Sequence, residues 1–90
     1  MPEVPRREII REHEFDEQLE RLLVNMEEAD DFTLGAEFIL ARDPLLGHPV
    51  SGDNTIWALD MCPVRGRQVT LYYTFDEGTV TFLAILPADE

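Results

Sequence analysis

Two arginines flank a glycine in the second half of the chain, and a tyrosine follows them. Arg65 and Arg67 lie on either side of Gly66, immediately before the alternating run QVTLYYTF. Arginine binds phosphate or carboxylate groups through paired hydrogen bonds, so two in one turn suit an anionic ligand. Parity places Tyr72 on the strand face opposite Tyr73, where a phenol can donate to a phosphate or stack on a base. Solvated turn arginines and a tyrosine that merely covers the sheet are the simpler interpretation.

Two histidines and one cysteine complete the reactive side chains, and none belongs to a recognisable motif. His13 lies among acidic residues but has no second histidine at metal-ligand spacing, so a solvated position at a helix start is the simpler interpretation. His48, in a loop, is a conceivable acid or base. Cys62 has no partner for a disulfide or zinc site, which fits a reducing, cytoplasmic compartment. The sequence predicts no metal and no cofactor.

Charge limits the classes of partner. Seven arginines, no lysine and nineteen acidic residues give a net charge of -12 over 90 residues. The negative electrostatic field of such a protein opposes nonspecific binding to DNA or RNA, whose phosphates are also negative. No apolar run is long enough to cross a membrane, and no secretory leader is evident. We therefore expect one soluble domain spanning residues 1–90; the sequence leaves open whether residues 1–6 are ordered.

A β-hairpin is the clearest structural prediction, and it positions the candidate side chains. Residues 69–75 alternate between apolar and polar types, so Val69, Leu71, Tyr73 and Phe75 share one face. A turn containing Gly78 follows. The next run is apolar on both faces from residue 82 onward, which predicts a central strand.

Two amphipathic helices are predicted before the hairpin. The first carries an apolar stripe over residues 15–26, and the second begins with a cap at Asp30 or Asp31 and ends before Pro44. The segment PLLGHPVSGDN is typical of a loop, and TIWALDM of a strand. The predicted fold is α+β, with two N-terminal helices packed on a small, largely antiparallel sheet of three to four strands.

Four segments resemble the RelE/ParE toxin superfamily of type II toxin–antitoxin systems. They are EIIREHEFDEQLERLL, LARDPLLGHPV, IWAL and YYTFDEGTVTFLAI. The resemblance implies a cognate antitoxin as partner, and either ribosome-bound mRNA or DNA gyrase as target. Family ribonucleases use a cluster of basic residues, whereas Thr70 here occupies a position where the family often has arginine, and the chain ends in LPADE.

The resemblance assigns roles to a few residues of this chain. Arg65, Arg67 and Tyr72 are the candidates for RNA contact and catalysis, and Leu83 and Ile85 are expected on the open sheet face as partner-binding residues. The basic residues of a ribonuclease are largely missing, so enzymatic activity stays open. The alternatives are a non-catalytic interaction protein or degenerate toxin on the same fold, and a gyrase-binding toxin of the ParE type.

Overall fold

The computed structural model describes residues 7–22, 26–53, 55–64 and 67–87. Within these ranges the fold comprises two helices and five strands, and a short 3-10 helix (Pro44–Leu46) precedes the second strand. In chain order the elements are β1 (Glu8–Arg11), α1 (His13–Leu22), α2 (Met26–Arg42), β2 (His48–Pro49), β3 (Trp57–Val64), β4 (Arg67–Phe75) and β5 (Thr79–Pro87). The predicted α+β class is confirmed.

The strands form one sheet in the order β1-β5-β4-β3-β2. β1 runs parallel to β5, and the other neighbouring pairs are antiparallel. The central position predicted for β5 is confirmed, since it lies between β1 and β4. The sheet has one strand more than predicted, because the two-residue β2 lies in the segment interpreted as a loop.

Both helices cover one face of the sheet, and the core lies between these two layers. Phe15 of α1 packs against Phe82 of β5 with ring centroids 5.3 Å apart. The alternation predicted for β4 is confirmed, because its odd-numbered residues from 69 to 73 are buried on the helix side. The fully or nearly fully buried core residues are Phe15, Leu19, Phe32, Ala36, Leu40, Val69, Leu71, Tyr73, Val80, Phe82 and Ile85.

Helix α2 ends where predicted but begins earlier. Its last residue is Arg42, and the Asp43 amide still donates to the Ile39 carbonyl at 2.9 Å. The predicted cap at Asp30 or Asp31 is wrong, because the helix already begins at Met26. Both aspartates lie exposed in the second turn of the helix, beyond the first turn where the helix dipole acts most strongly.

A β-bulge at Leu83 changes which side chains of β5 face the helices. Tyr72 pairs with Ala84 while Tyr73 pairs with Phe82, so Leu83 is an extra residue in β5. Phe82 and Ile85 are therefore both fully buried although they are three positions apart. The expectation that Ile85 lies on the open face is wrong, because simple alternation does not hold across a bulge. The Gln18 side chain of α1 accepts a hydrogen bond of 2.9 Å from the Ile85 amide.

The predicted turn between β4 and β5 is confirmed. Asp76 accepts hydrogen bonds from the amides of Gly78 and Thr79 at 2.9 and 2.8 Å through one carboxylate oxygen. Such a side-chain turn is a common way to close a hairpin. Within the described ranges, neither helix has the length and apolarity needed to cross a membrane.

Candidate functional site

The sheet face opposite the helices carries a row of four side-chain positions. Strand pairing places His48 of β2 beside Ala58 of β3, Ala58 beside Tyr72 of β4, and Tyr72 beside Ala84 of β5. We call these four residues the open-face row. Neighbouring strands lie about 4.8 Å apart, so the backbones of His48 and Tyr72 are roughly 10 Å apart. The intervening Ala58 carries only a methyl group.

Tyr72 and Tyr73 point to opposite faces, as predicted. Tyr72 is half-exposed on the open face, whereas Tyr73 is fully buried in the core. The Tyr73 hydroxyl donates to the Pro44 carbonyl and accepts from the Gly47 amide at 3.2 Å. Burial raises the pKa of Tyr73, with the nearby Asp43 carboxylate adding to the rise and the Gly47 amide opposing it. Tyr73 is therefore a structural residue that anchors the segment leading into β2.

Gly47 lets this segment approach the sheet closely enough to place His48. A Cβ atom at position 47 would lie 2.4 Å from the Ala58 carbonyl oxygen and 2.6 Å from the Tyr73 hydroxyl oxygen. No side chain larger than hydrogen fits this approach without displacing β3. The next residue, His48, then pairs with Ala58 and is exposed. The sequence analysis named His48 as a conceivable acid or base but placed it in a loop, and it did not predict that β2 brings this residue onto the same sheet face as Tyr72.

A carboxylate lies in the adjacent row of the open face. Asp60 of β3 is paired with Thr70 of β4, and the Thr70 hydroxyl donates to an Asp60 carboxylate oxygen at 2.8 Å. Thr70 occupies the position where the resemblance implies an arginine. The structure therefore places a carboxylate, bonded to a hydroxyl, on the open face in the row next to Tyr72.

The remaining predicted site residues are only partly covered by the structure. Arg65 lies outside the described residues, and Arg67 is described only as the first residue of β4, opposite Val64. Leu83 is half-exposed in the bulge beside Tyr72, whereas Ile85 belongs to the core. Tyr72 and Leu83 are thus the two predicted site residues that the structure brings together.

His13 takes no part in this face. It is the exposed first residue of α1, and its imidazole lies 2.8 Å from the Glu17 carboxylate one turn along the helix. Throughout the part of the chain that is described, histidine, cysteine and carboxylate side chains form no group of three suited to a metal ion.

The open-face row can offer an imidazole and a phenol on either side of a small residue. Imidazole is the side chain most often used to transfer protons, and a phenol can donate to phosphate or stack on a base. The acidic Asp60 beside them weakens the attraction of this face for a polyanion. The geometry suits contact with a protein or a single nucleotide better than binding along a phosphate backbone.

Comparison with known proteins identifies the fold. No protein-family model matches the chain, and no curated protein matches it. A chain from the crystal structure of the toxin–antitoxin complex RelBE2 from Mycobacterium tuberculosis is similar to it over 100% of both chains, with a TM-score of 0.73 and 18% sequence identity. The chain therefore shares its fold with that chain of the toxin–antitoxin complex.

Proposed function

We propose that this protein is the toxin-like component of a type II toxin–antitoxin pair and that its principal property is binding a cognate antitoxin. The observation that best supports this proposal is the full-length structural similarity to a chain of the RelBE2 complex, with a TM-score of 0.73. Large exposed apolar side chains on α2 and near β2 add support, because such residues are available for a partner. The proposed location is the cytoplasm.

The charge of the chain favours a basic partner segment. At -12, the protein attracts a positively charged chain over a distance and increases its rate of association. The antitoxin we propose therefore presents arginine or lysine residues to the acidic surface of α1, where Glu14, Glu17 and Glu20 are exposed. Leu83, half-exposed on the open face, remains a candidate contact for it.

Cleavage of mRNA on the ribosome is the less supported activity. Arg65, Arg67 and Tyr72 remain the candidates for an RNA contact, with His48, two strands away from Tyr72 on the same face, as an added proton donor or acceptor. Asp60 and its partner Thr70 oppose phosphate binding on the same face. The Asp60–Thr70 pair therefore favours functions that need no phosphate binding. One such function is poisoning of DNA gyrase by protein contact, and another is that of a degenerate toxin that only binds its partner.

Growth of a bacterial host after induced expression tests this proposal. We expect arrest by the wild-type chain, and relief of arrest when the protein encoded by the adjacent gene is co-expressed and co-purifies with it. Arg65→Ala with Arg67→Ala, at a matched soluble level, is expected to relieve arrest if the turn contacts the target. Arg21→Ala, on the exposed side of α1, is the control. Absence of arrest together with absence of a co-purifying neighbour would overturn the toxin proposal.

A further inference from the structure

Tyr72 is surrounded on the open face by small side chains. Strand pairing places Ala58 and Ala84 beside it, and alternation within β4 places Thr70 and Thr74 before and after it on the same face. These four side chains are too short to cover an aromatic ring, and Tyr72 is half-exposed although it lies in the middle of the sheet. The ring is therefore accessible to a ligand.

A hydrogen bond holds a carboxylate close to this ring. Asp60 of β3 pairs with Thr70 of β4, and the Thr70 hydroxyl donates to one Asp60 carboxylate oxygen at 2.8 Å. The bond draws the carboxylate towards β4, the strand that carries Tyr72. Asp60 is exposed, and a carboxylate has acceptor sites on both oxygens, so it can accept further hydrogen bonds.

The spacing of these two groups suits a guanidinium. Residues two positions apart in a strand are about 7 Å apart, which is roughly the separation of the Tyr72 ring from the carboxylate bonded to Thr70. A cation interacts with an aromatic face within about 6 Å of its centroid, and with a carboxylate within about 4 Å. A guanidinium between Asp60 and Tyr72 meets both limits. Its planar shape also allows it to stack on the ring while it donates to the carboxylate, which an ammonium group cannot do.

The remaining neighbour of Thr70 offers a surface for the rest of an arginine side chain. Leu86 of β5 pairs with Thr70 on the side away from Asp60 and is 42% exposed. The methylene groups of an arginine pack well on such an apolar surface while its charged end lies elsewhere.

The charges near this site favour a cation. Glu8 of β1 is the other charged strand residue on the same face, among the side chains that the structure describes, and it too is acidic. His48 lies diagonally across from Asp60 and is a further titratable neighbour. The nearest arginines along the chain are Arg65, which lies outside the described residues, and Arg67, which begins β4.

We propose that Asp60 and Tyr72 form a site on the open face that binds an arginine side chain of a partner protein. The guanidinium stacks on the Tyr72 ring and donates to the Asp60 carboxylate, which Thr70 holds in place. This inference rests on the proposed function and deepens it, because it states which chemical group the antitoxin presents to the open face. A site built in this way selects a cation and rejects a phosphate.

Titration of the isotope-labelled full chain with N-acetyl-arginine amide, followed by NMR, tests the site directly. The titration is run at about pH 7.5, where most imidazole groups are uncharged. We expect saturable shifts of the signals of Thr70 and Tyr72, with a dissociation constant on the order of 10 mM for one ring contact and one exposed charge pair. N-acetyl-citrulline amide has nearly the same shape without the charge, and it should bind at least about fivefold more weakly.

Substitutions assign the binding to the two proposed groups. Asp60→Asn removes the charge but keeps an oxygen for the Thr70 hydroxyl, and it should weaken binding of the arginine probe about three- to fivefold. Tyr72→Leu removes the ring and should weaken binding by about as much. The matched control is Asp31→Asn, which makes the same change in net charge at an exposed position of α2 and should leave binding unchanged.

The turn arginines require a separate control. Arg65→Ala with Arg67→Ala should not weaken binding of the probe, because the proposed site includes neither residue. The amide spectrum of each variant shows whether it is folded.

The proposal is overturned by an absence of saturable shifts, by equal binding of the arginine and citrulline probes, or by binding that survives Asp60→Asn or Tyr72→Leu unchanged. Equal losses in Asp60→Asn and Asp31→Asn, or loss of binding without the turn arginines, would overturn it as well. Toxicity plays no part in this test. A silent growth assay would therefore leave the arginine site standing, and a failed titration would leave the toxin proposal standing.

Discussion

Tyr72 and Tyr73 show how one position along a strand separates a surface residue from a structural one. Their parity follows from the alternation in the sequence, and the structure confirms it. The hydrogen bonds of Tyr73 could not be predicted, because they join β4 to Pro44 and Gly47, which are distant in sequence. The same contact brings His48 to the open face, so the sequence alone named Tyr72 and His48 as candidates without showing that they share a face of the sheet.

Replacing Tyr73 by phenylalanine tests its role as an anchor. The change keeps the ring but leaves the half-buried Gly47 amide and the buried Pro44 carbonyl without their partner, which should lower the free energy of unfolding by about 1–3 kcal/mol. Urea denaturation followed by circular dichroism measures this. The control Tyr72→Phe, on the half-exposed neighbour, should change stability by no more than about 0.5 kcal/mol. Equal effects of the two changes would contradict the anchoring role.

The raised pKa of Tyr73 has a consequence at high pH. The folded protein holds this proton more tightly than the unfolded chain does, since burial raises the pKa above its ordinary value of 10.0. The corresponding stability is fully present below pH 10 and is lost as the pH rises through the folded-state value. We expect the free energy of unfolding to fall above pH 10 more steeply in wild type and Tyr72→Phe than in Tyr73→Phe. Parallel pH profiles for all three proteins would show that another group is responsible.

At the scale of elements, the spacing of apolar residues was enough to predict that a helix or a strand is present. Contacts between segments distant in sequence could not be predicted from it. The alternation of β4 follows from the spacing of apolar residues, whereas the stripe predicted over residues 15–26 is too long, because α1 ends at Leu22 and Met26 begins α2. The bulge at Leu83 is seen only in the pairing of β4 with β5, and no residue type in β5 predicts it from the sequence. β2 could not be predicted from the sequence either, because its two residues are too few to show an alternating pattern. Asp30 and Asp31 are typical of helix N-caps, yet they lie inside α2, because the helix begins at Met26.

Alanine substitutions on either side of the bulge test the assigned register. Ile85→Ala removes a fully buried side chain and should cost about 2–5 kcal/mol. Leu83→Ala removes a half-exposed side chain and should cost roughly 1 kcal/mol or less. Chemical denaturation of both variants provides the comparison. A larger loss for Leu83→Ala would indicate that β5 follows simple alternation.

The whole molecule combines a buried apolar core with strong excess negative charge. Like charges repel most when the chain is compact, so the net charge of -12 opposes folding at low ionic strength. The same charge favours solubility and the approach of basic partners. Composition predicts these properties well, because they depend on sums over residues and not on how the residues are arranged.

Salt should therefore stabilise the protein. Raising the salt concentration from a few millimolar to physiological levels shortens the screening distance to about 8 Å and weakens the repulsion. We expect the melting temperature to rise by a few degrees, which corresponds to roughly 1 kcal/mol for a domain of this size. Scanning calorimetry at several sodium chloride concentrations measures it. A melting temperature that falls with salt would mean that the ion pairs of α1 outweigh the repulsion.

The parallel pairing of β1 with β5 joins the first strand of the chain to the last. β1 and both helices are synthesised before β5, yet Phe15 of α1 packs against Phe82 of β5. During synthesis the apolar stripe of α1 thus has no finished sheet to cover. The core of this fold therefore closes only once β5 has been made and has paired with β1.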